Sequence, residues 1–329
     1  MDPVVERLVA AISPDSPAGE NLEDTQLLAS FDGYRVFGQM APPGAETDWR
    51  EIRDRALEGL GQSRDLRLLT HLGAAALRTH GLGGFCDVLG VASRWFDGFP
   101  DKLYPLVDED AILRRNALNC FADRMAIVEA VRRQPLVSNP QLGAFSLRHF
   151  EIATGTQTAT AADGEPPSAA HVSAALSAAE DDQIAPLAAS LEAGVGALRQ
   201  VDAAMRSANG TEGAPDFDPL ISALDQARTI LAGELATRAA NAAPADGAAD
   251  GEAAAGGAIA VGSIRSRDDA IRALDAVATF FRKNEPSSPV PIFIERAKRL
   301  VAKDFLEVLA DVAPDGLDQA KRVGGIRDE

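Results

Sequence analysis

Aromatic residues are scarce in this chain of 329 residues, only 5%, while alanine and leucine dominate the 46% that is hydrophobic. That balance favours helix over strand. Ala and Leu are good helix formers, whereas strands prefer aromatic and β-branched residues. Positive charge is also short: 32 Lys and Arg stand against 49 Asp and Glu, a net charge of −17. So acidic a chain repels phosphate backbones, and nucleic acid is excluded as an expected partner. No apolar run approaches the ~20 residues of a membrane span. The start, MDPVVERLVAAI, carries acids and lacks the apolar centre of a signal peptide. The expectation is a soluble, cytoplasmic protein with no direct membrane insertion.

Chemistry-bearing residues are few. Cys86 and Cys120 sit in apolar contexts without CxxC spacing and read as buried reduced thiols. His71, His80, His149 and His171 are scattered and form no HExxH. Nucleophile-elbow, P-loop and dinucleotide-binding motifs are all missing. GLGGF at residues 81–85 reads as a helix terminator, with Gly81, Gly83 and Gly84 as the stop. The expectation is no catalytic residue, no metal site and no cofactor.

What is present is helical periodicity. The fold class expected is all-α: an N-terminal helical array, a middle helical hairpin, and a small C-terminal helical oligomerisation unit after a flexible linker. Residues 1–150 read as one helical domain. A first helix covers Val4 to Ile12, and the turn SPDSPAGENL follows. Asp48 caps one helix, Ser63 or Asp65 opens the next, and a last helix runs from about Ala111 to Pro135. Residues 151–165, rich in Thr, Ala and Gly, read as a flexible or extended link. Residues 166–240 read as an acidic helical hairpin, with Asp216 or Asp218 capping its second arm. Residues 241–261, NAAPADGAADGEAAAGGAIAV, cannot bury enough apolar area to offset their ordering entropy, and read as a disordered linker.

Residues 262–329 carry the sharpest pattern, SRDDAIRALDAVATFFRKNEPSSPVPIFIERAKRLV, from Ser266 to Val301. Ser266 and Asp269 match a capping box with Asp in place of Glu. Ile271, Leu274, Val277 and Phe281 form an apolar face. Pro286, Pro289 and Pro291 force a turn. Phe293 and Leu300 belong to the apolar face of a second helix, and Phe305 to Val312 suggest a third. Three short helices make a core near the limit of independent stability, so part of the burial is expected to come from other copies. Charge fits that reading. Residues 151–261 hold 16 acids and 4 bases, whereas residues 262–329 hold 12 of each. A neutral segment suits self-association. Ile271, Leu274, Val277, Phe281, Pro289, Pro291, Phe293 and Leu300 are therefore the candidate oligomerisation or core residues. Two charged clusters are candidate partner-binding sites. Asp108, Glu109 and Asp110 precede a helix, where they can serve its N-terminal dipole and pair with Arg114 and Arg115. Arg296 and Arg299, with Lys298 and Lys303, form a solvated face, an ion-pairing face, or a dock for an acidic surface. A general cytosolic adaptor or chaperone, and a hydrolase using the acidic loop, are the competing readings.

Two stretches carry a family resemblance. SPDSPAGENL, DWREIRDRALEGLGQSRDLRL and RWFDGFPDKLYPLVDEDAILRRNAL resemble the ImpA N-terminal domain of type VI secretion TssA proteins. IRSRDDAIRALDAVATFFRKNEPSSPVPIFIERAKRLV followed by FLEVLADVAPD resembles the C-terminal region of shorter members. Departures are Thr279 and Phe280, where an acid and Tyr are more usual, and the long Ala/Gly linker. The resemblance implies a non-enzymatic scaffold that assists baseplate assembly and tube and sheath polymerisation. It implies a C-terminal ring of copies with N-terminal domains projecting outward. The implied partners are the chain itself and the baseplate, sheath, inner-tube and membrane-complex proteins.

Overall fold

The computed structural model describes residues 3–38, 47–107, 111–160, 163–242, 267–284 and 289–301. The chain divides into two compact units, Met1–Pro244 and Ala245–Glu329. The 243–261 part of the expected linker, Ser266 of the capping box and the Phe305 to Val312 stretch lie outside the described residues.

The first unit begins with α1 (Pro3–Glu6) and a 3-10 turn, Arg7–Val9, shorter than the helix expected as far as Ile12. The backbone turns extended at Ala10, and Ile12 N–H then donates to Pro17 O at 2.8 Å, closing the predicted turn. After α2 (Gln26–Ser30) come α3 (Trp49–Leu60), α4 (Leu66–Thr79) and α5 (Gly81–Gly98). Asp48 caps α3 as its sequence position predicts, accepting from the Arg50 and Glu51 amides at 3.0 Å. Asp65 rather than Ser63 caps α4, accepting from the Arg67 amide at 2.8 Å. The glycine cluster behaves differently from expectation. Only Gly81, with φ of +70°, breaks the chain, while Gly83 and Gly84 lie in the first turn of α5.

The turn between α3 and α4 gathers three segments. Gly19 packs so closely on it that a β-carbon there would lie 2.1 Å from Gln62 O, and its φ of +74° also requires glycine. Arg64 N–H donates to Ala18 O, and Tyr104 N–H donates to Arg64 O. The Arg64 side chain is buried and donates to the carbonyls of Ala10 and Leu60. Its guanidinium lies 5.7 Å from the ring centre of Trp95, whose Nε1–H donates to Leu8 O. Burial pulls the Arg64 pKa down to about 10, so it stays charged at neutral pH.

Beyond α5, the helix expected from Ala111 to Pro135 is broken. Its pieces are α6 (Ile112–Asn119), a 3-10 turn, a π-helical turn (Arg124–Val128) and α7 (Glu129–Arg133). The cause is Asp123, which leaves helical space at ψ 123° and caps a new turn through the Met125 and Ala126 amides. The all-α expectation then fails. β1 (Pro135–Asn139) and β2 (Gly143–Ser146) form a two-stranded antiparallel sheet. Asn139 Oδ1 accepts from the Gln141 and Leu142 amides, and Gly143 takes φ of +98°, so turn chemistry makes the hairpin. Leu136, Val137 and Phe145 are buried.

α8 (Leu147–Ala153), α9 (Ala169–Ala178), α10 (Asp181–Asn209) and α11 (Asp218–Ala242) complete this unit. α10 lies along both α5 and α11. Gly194 permits the close approach, since a β-carbon there would sit 2.8 Å from Cys86 Sγ. The core therefore runs without a break from Val5 to Leu231. The 151–165 link is held where it is described. Asp163 accepts from Arg148 at 2.8 Å, Arg133 at 2.9 Å and the Thr160 amide at 2.8 Å. Glu151 pairs with Arg132 at 2.6 Å. The second unit contributes α12 (Arg267–Asn284) and α13 (Val290–Val301), packed against each other.

Two outcomes are expected. Arg64→Met leaves the Ala10 and Leu60 carbonyls without a donor and should cost about 2–4 kcal/mol in urea denaturation; an unchanged midpoint would refute the role given to Arg64. The Arg148 hydrogen bonds hold the Asp163 carboxyl well below the usual carboxylate range. Its stabilisation is therefore present above the unfolded pKa of about 4 and is lost as pH falls below it. Asp163→Asn should lower Tm at pH 7 and flatten the acid limb of the Tm–pH curve. An identical acid limb in both proteins would contradict this.

Candidate interaction surface

Polar clefts come first, because a hydrolase would need one. A cleft of about 590 Å³ is lined by Phe31, Phe37, Arg67, His71 and Cys120 among others. His71 lies between Phe31 and Phe37, with ring centres 4.8 and 4.9 Å away, and its Nδ1–H donates to Arg67 O. Burial lowers its pKa, so it is neutral at pH 7. The Cys120 thiol is pushed up to about 11 and Cys86 to about 12, both by burial. Neither supplies a thiolate at neutral pH. His149 and His171 are brought together at one point, both edge-on to Phe145. Among the described residues no group of three or more His, Cys, Asp or Glu could hold a metal ion. Nor is any described helix long and apolar enough to cross a membrane.

Of the charged candidates, Asp108, Glu109 and Asp110 lie outside the described residues. Their flanks are described. Leu106, Val107, Ile112 and Leu113 are exposed on either side. Arg114 was expected on an acidic partner, but its buried guanidinium donates to the carbonyls of Pro100, Leu103 and Pro105. Arg115 reaches Glu212 O at 2.6 Å. The loop base is thereby fixed by carbonyl acceptors.

The α12–α13 hairpin carries the remaining candidates. On α12, Ile271, Leu274 and Phe281 are half-buried on the face of fully buried Ala278, at i, i+3, i+7 and i+10. On α13 the buried residue is Ile294, with Pro291 and Ala297 half-buried beside it. Pro289 is exposed at the turn. Ion pairs lie along one edge of the hairpin: Arg282 with Glu295 at 2.8 Å, and Lys298 with both Asp275 and Glu295. Arg282 and Lys298 lower the Glu295 pKa, and Asp275 raises that of Lys298. Arg296 is exposed, while the side chains of Arg299 and Leu300 are outside the description. Four large apolar side chains are also left in solvent: Val277 at 45%, Phe280 at 56%, Ile292 at 73% and Phe293 at 67% exposure. Phe280 meets Phe281 edge-on at 5.5 Å. Covering such side chains contributes roughly 1.5–3 kcal/mol each. Ile292, read from sequence as an apolar position of the second helix, and Phe280, read as a departure from the family pattern, were not among the candidate oligomerisation or core residues. They are consecutive with predicted apolar positions, and a strict periodic stripe passes them by.

Ala278→Asp and Ile294→Asp should unfold the hairpin, read as loss of helical circular dichroism in the full chain. Ile292→Asp should leave the helical signal intact. Equal loss in all three would mean that Ile292 is interior.

The comparisons with known proteins agree with one another. Residues 9–123 match the family model described as ImpA, N-terminal, type VI secretion system. The chain is 30% identical to the type VI secretion system component TssA1 of Pseudomonas aeruginosa, over 98% of both chains. A solved structure resembles it with a TM-score of 0.57 at 23% identity, covering 72% of this chain and 96% of that one. That structure is the N-terminal domain, including the conserved ImpA_N region, of the TssA component of the type VI secretion system from Burkholderia cenocepacia. At that identity the likeness is one of fold.

Proposed function

The chain belongs to the TssA family of type VI secretion components, and from that membership we propose that it works as a non-enzymatic, cytoplasmic scaffold of the secretion machine. Copies join through residues 262–329 into a ring. Residues 1–150 and the acidic 166–240, which share one core, present contacts to baseplate, sheath, inner-tube and membrane-complex proteins. Residues 241–261, by composition, serve as the tether. In this role the protein assists baseplate assembly and tube and sheath polymerisation.

The observation that carries the reading is the apolar exterior of the α12–α13 hairpin, with Ile292 and Phe293 about two-thirds exposed or more. So much exposed apolar area on a small charge-balanced unit calls for a cover. A ring supplies it and gains a second advantage: many weak contacts held on one particle act together. In the cleft lined by His71 and Cys120, the thiol is protonated and His71 is neutral at pH 7.

Light scattering on the full-length protein should give a mass well above a dimer. Pull-down from cells expressing the whole secretion cluster should recover baseplate or sheath proteins. A monomeric chain that captures none of them would defeat the proposal.

A further inference from the structure

The cleft of about 590 Å³ in the first unit is walled by the 3-10 turn Phe31–Tyr34, α4 and α6. Phe31 and Phe37 flank His71, and Ala117 and Cys120 line the cleft from α6 and the turn after it. Leu113 stands on the same row of α6, within about 40° of Ala117 and about 20° of Cys120. It is exposed, so the apolar lining runs on to the surface. The polar groups are of two kinds. Inside, His71 Nδ1–H donates to Arg67 O, which leaves Nε2 an acceptor with no hydrogen-bond partner among the described residues. Arg67 is committed, since its Nε and Nη2 donate to Asp65 at 3.1 and 2.8 Å. At the rim Asp32 and Arg35 are exposed, and neither side chain has an ion pair among the described residues. Glu23 stands 3.8 Å from Arg67.

We propose that this cleft docks a basic peptide segment of a partner protein, with a Trp or Tyr entering beside His71 and Lys or Arg on either side of it facing Asp32 and Glu23. The walls select the anchor. Two Phe rings and an imidazole suit an aromatic side chain, and the indole N–H or phenol O–H satisfies the free Nε2 acceptor. The volume lies within the roughly 300–1,000 Å³ usual for a binding pocket. Charge selects the flanks. With Arg67 neutralised by Asp65, the acids Glu23 and Asp32 outnumber the one free base, Arg35. The unit as a whole, Met1–Pro244, holds 34 acidic and 20 basic residues. Its field draws a cationic segment in and turns an acidic or phosphate-bearing one away. This site lies wholly in the first unit, so it goes beyond the scaffold reading and does not depend on how copies associate.

Fluorescence anisotropy on the full-length chain tests this. The probe is a labelled peptide with one Trp, a Leu on each side of it and two Lys at each end; its twin carries Glu in place of Lys. The Lys peptide should bind the parent chain, and the Glu peptide should bind at least about tenfold more weakly. Ala29 is exposed and lines the cleft, so Ala29→Trp should fill the mouth and abolish binding with the helical circular dichroism unchanged. Asp32→Lys should weaken binding about three- to fivefold. Glu192→Lys makes the same change of charge at an exposed position of α10 and should leave the affinity as it was. Equal weakening by Asp32→Lys and Glu192→Lys would mean attraction to the whole surface and would overturn the site. Full binding to Ala29→Trp, or equal binding of the Glu peptide, would overturn it as well. So would a parent chain that binds neither peptide, leaving the cleft to the chain's own residues or to a ligand of another class. The scaffold reading is judged separately, by the mass of the parent particle, so either can fail without the other.

Discussion

A buried guanidinium with no carboxylate beside it holds the N-terminal unit in register. Arg64 donates to Ala10 O and Leu60 O, while its own backbone bonds to Ala18 and Tyr104. Three segments far apart in sequence meet at this residue. A charge in such a place is tolerated only if carbonyl dipoles replace its hydration shell. The carbonyls in turn are loop groups that water cannot easily reach. Neither side can be removed without stranding the other. Arg78 and Arg114 repeat the arrangement. Arg78 stacks at 4.0 Å on Trp49 and donates to Ala126 O; Arg114 donates to three carbonyls of the loop before α6. Loops that composition alone would leave floppy are fixed in this way, and the helices they connect inherit their directions.

On that frame the α5–α10 contact joins the early and late parts of the unit. Gly194 brings α10 onto Cys86, and Asp163 gathers two arginines from the elements before and after the β-hairpin. The C-terminal unit follows another logic. Its ion pairs lie along one edge of the hairpin, where exposed pairs add little energy but disfavour other registers. Its apolar residues divide between a seam, around Ala278 and Ile294, and an outer surface.

Much was legible from sequence where the physics is local. Asp48, Asp65 and the SPDSPAGENL turn announce themselves because a cap or turn depends on a few neighbouring side chains. The break at Asp123 was not legible, since Ala111 to Pro135 keeps apolar spacing through it. The β-hairpin was missed although Asn-Pro and a glycine mark its turn, because Leu136 and Val137 lie against helices distant in sequence. Arg114 was assigned to nearby acids because sequence shows neighbours and hides carbonyls folded underneath.

By itself the sequence determined a helix-rich chain, an acidic middle, a charge-balanced end and membership of a secretion family, since each depends on composition or on motifs readable in order. Tertiary structure alone decided that residues beyond 150 complete the core begun at Val5, that a strand pair interrupts the helices, and that Ala278 and Ile294 are inside while Ile292 and Phe293 are outside. The reason is physical. Periodicity says how wide an apolar face is, but only the neighbour packed against it determines which part of that face water still reaches.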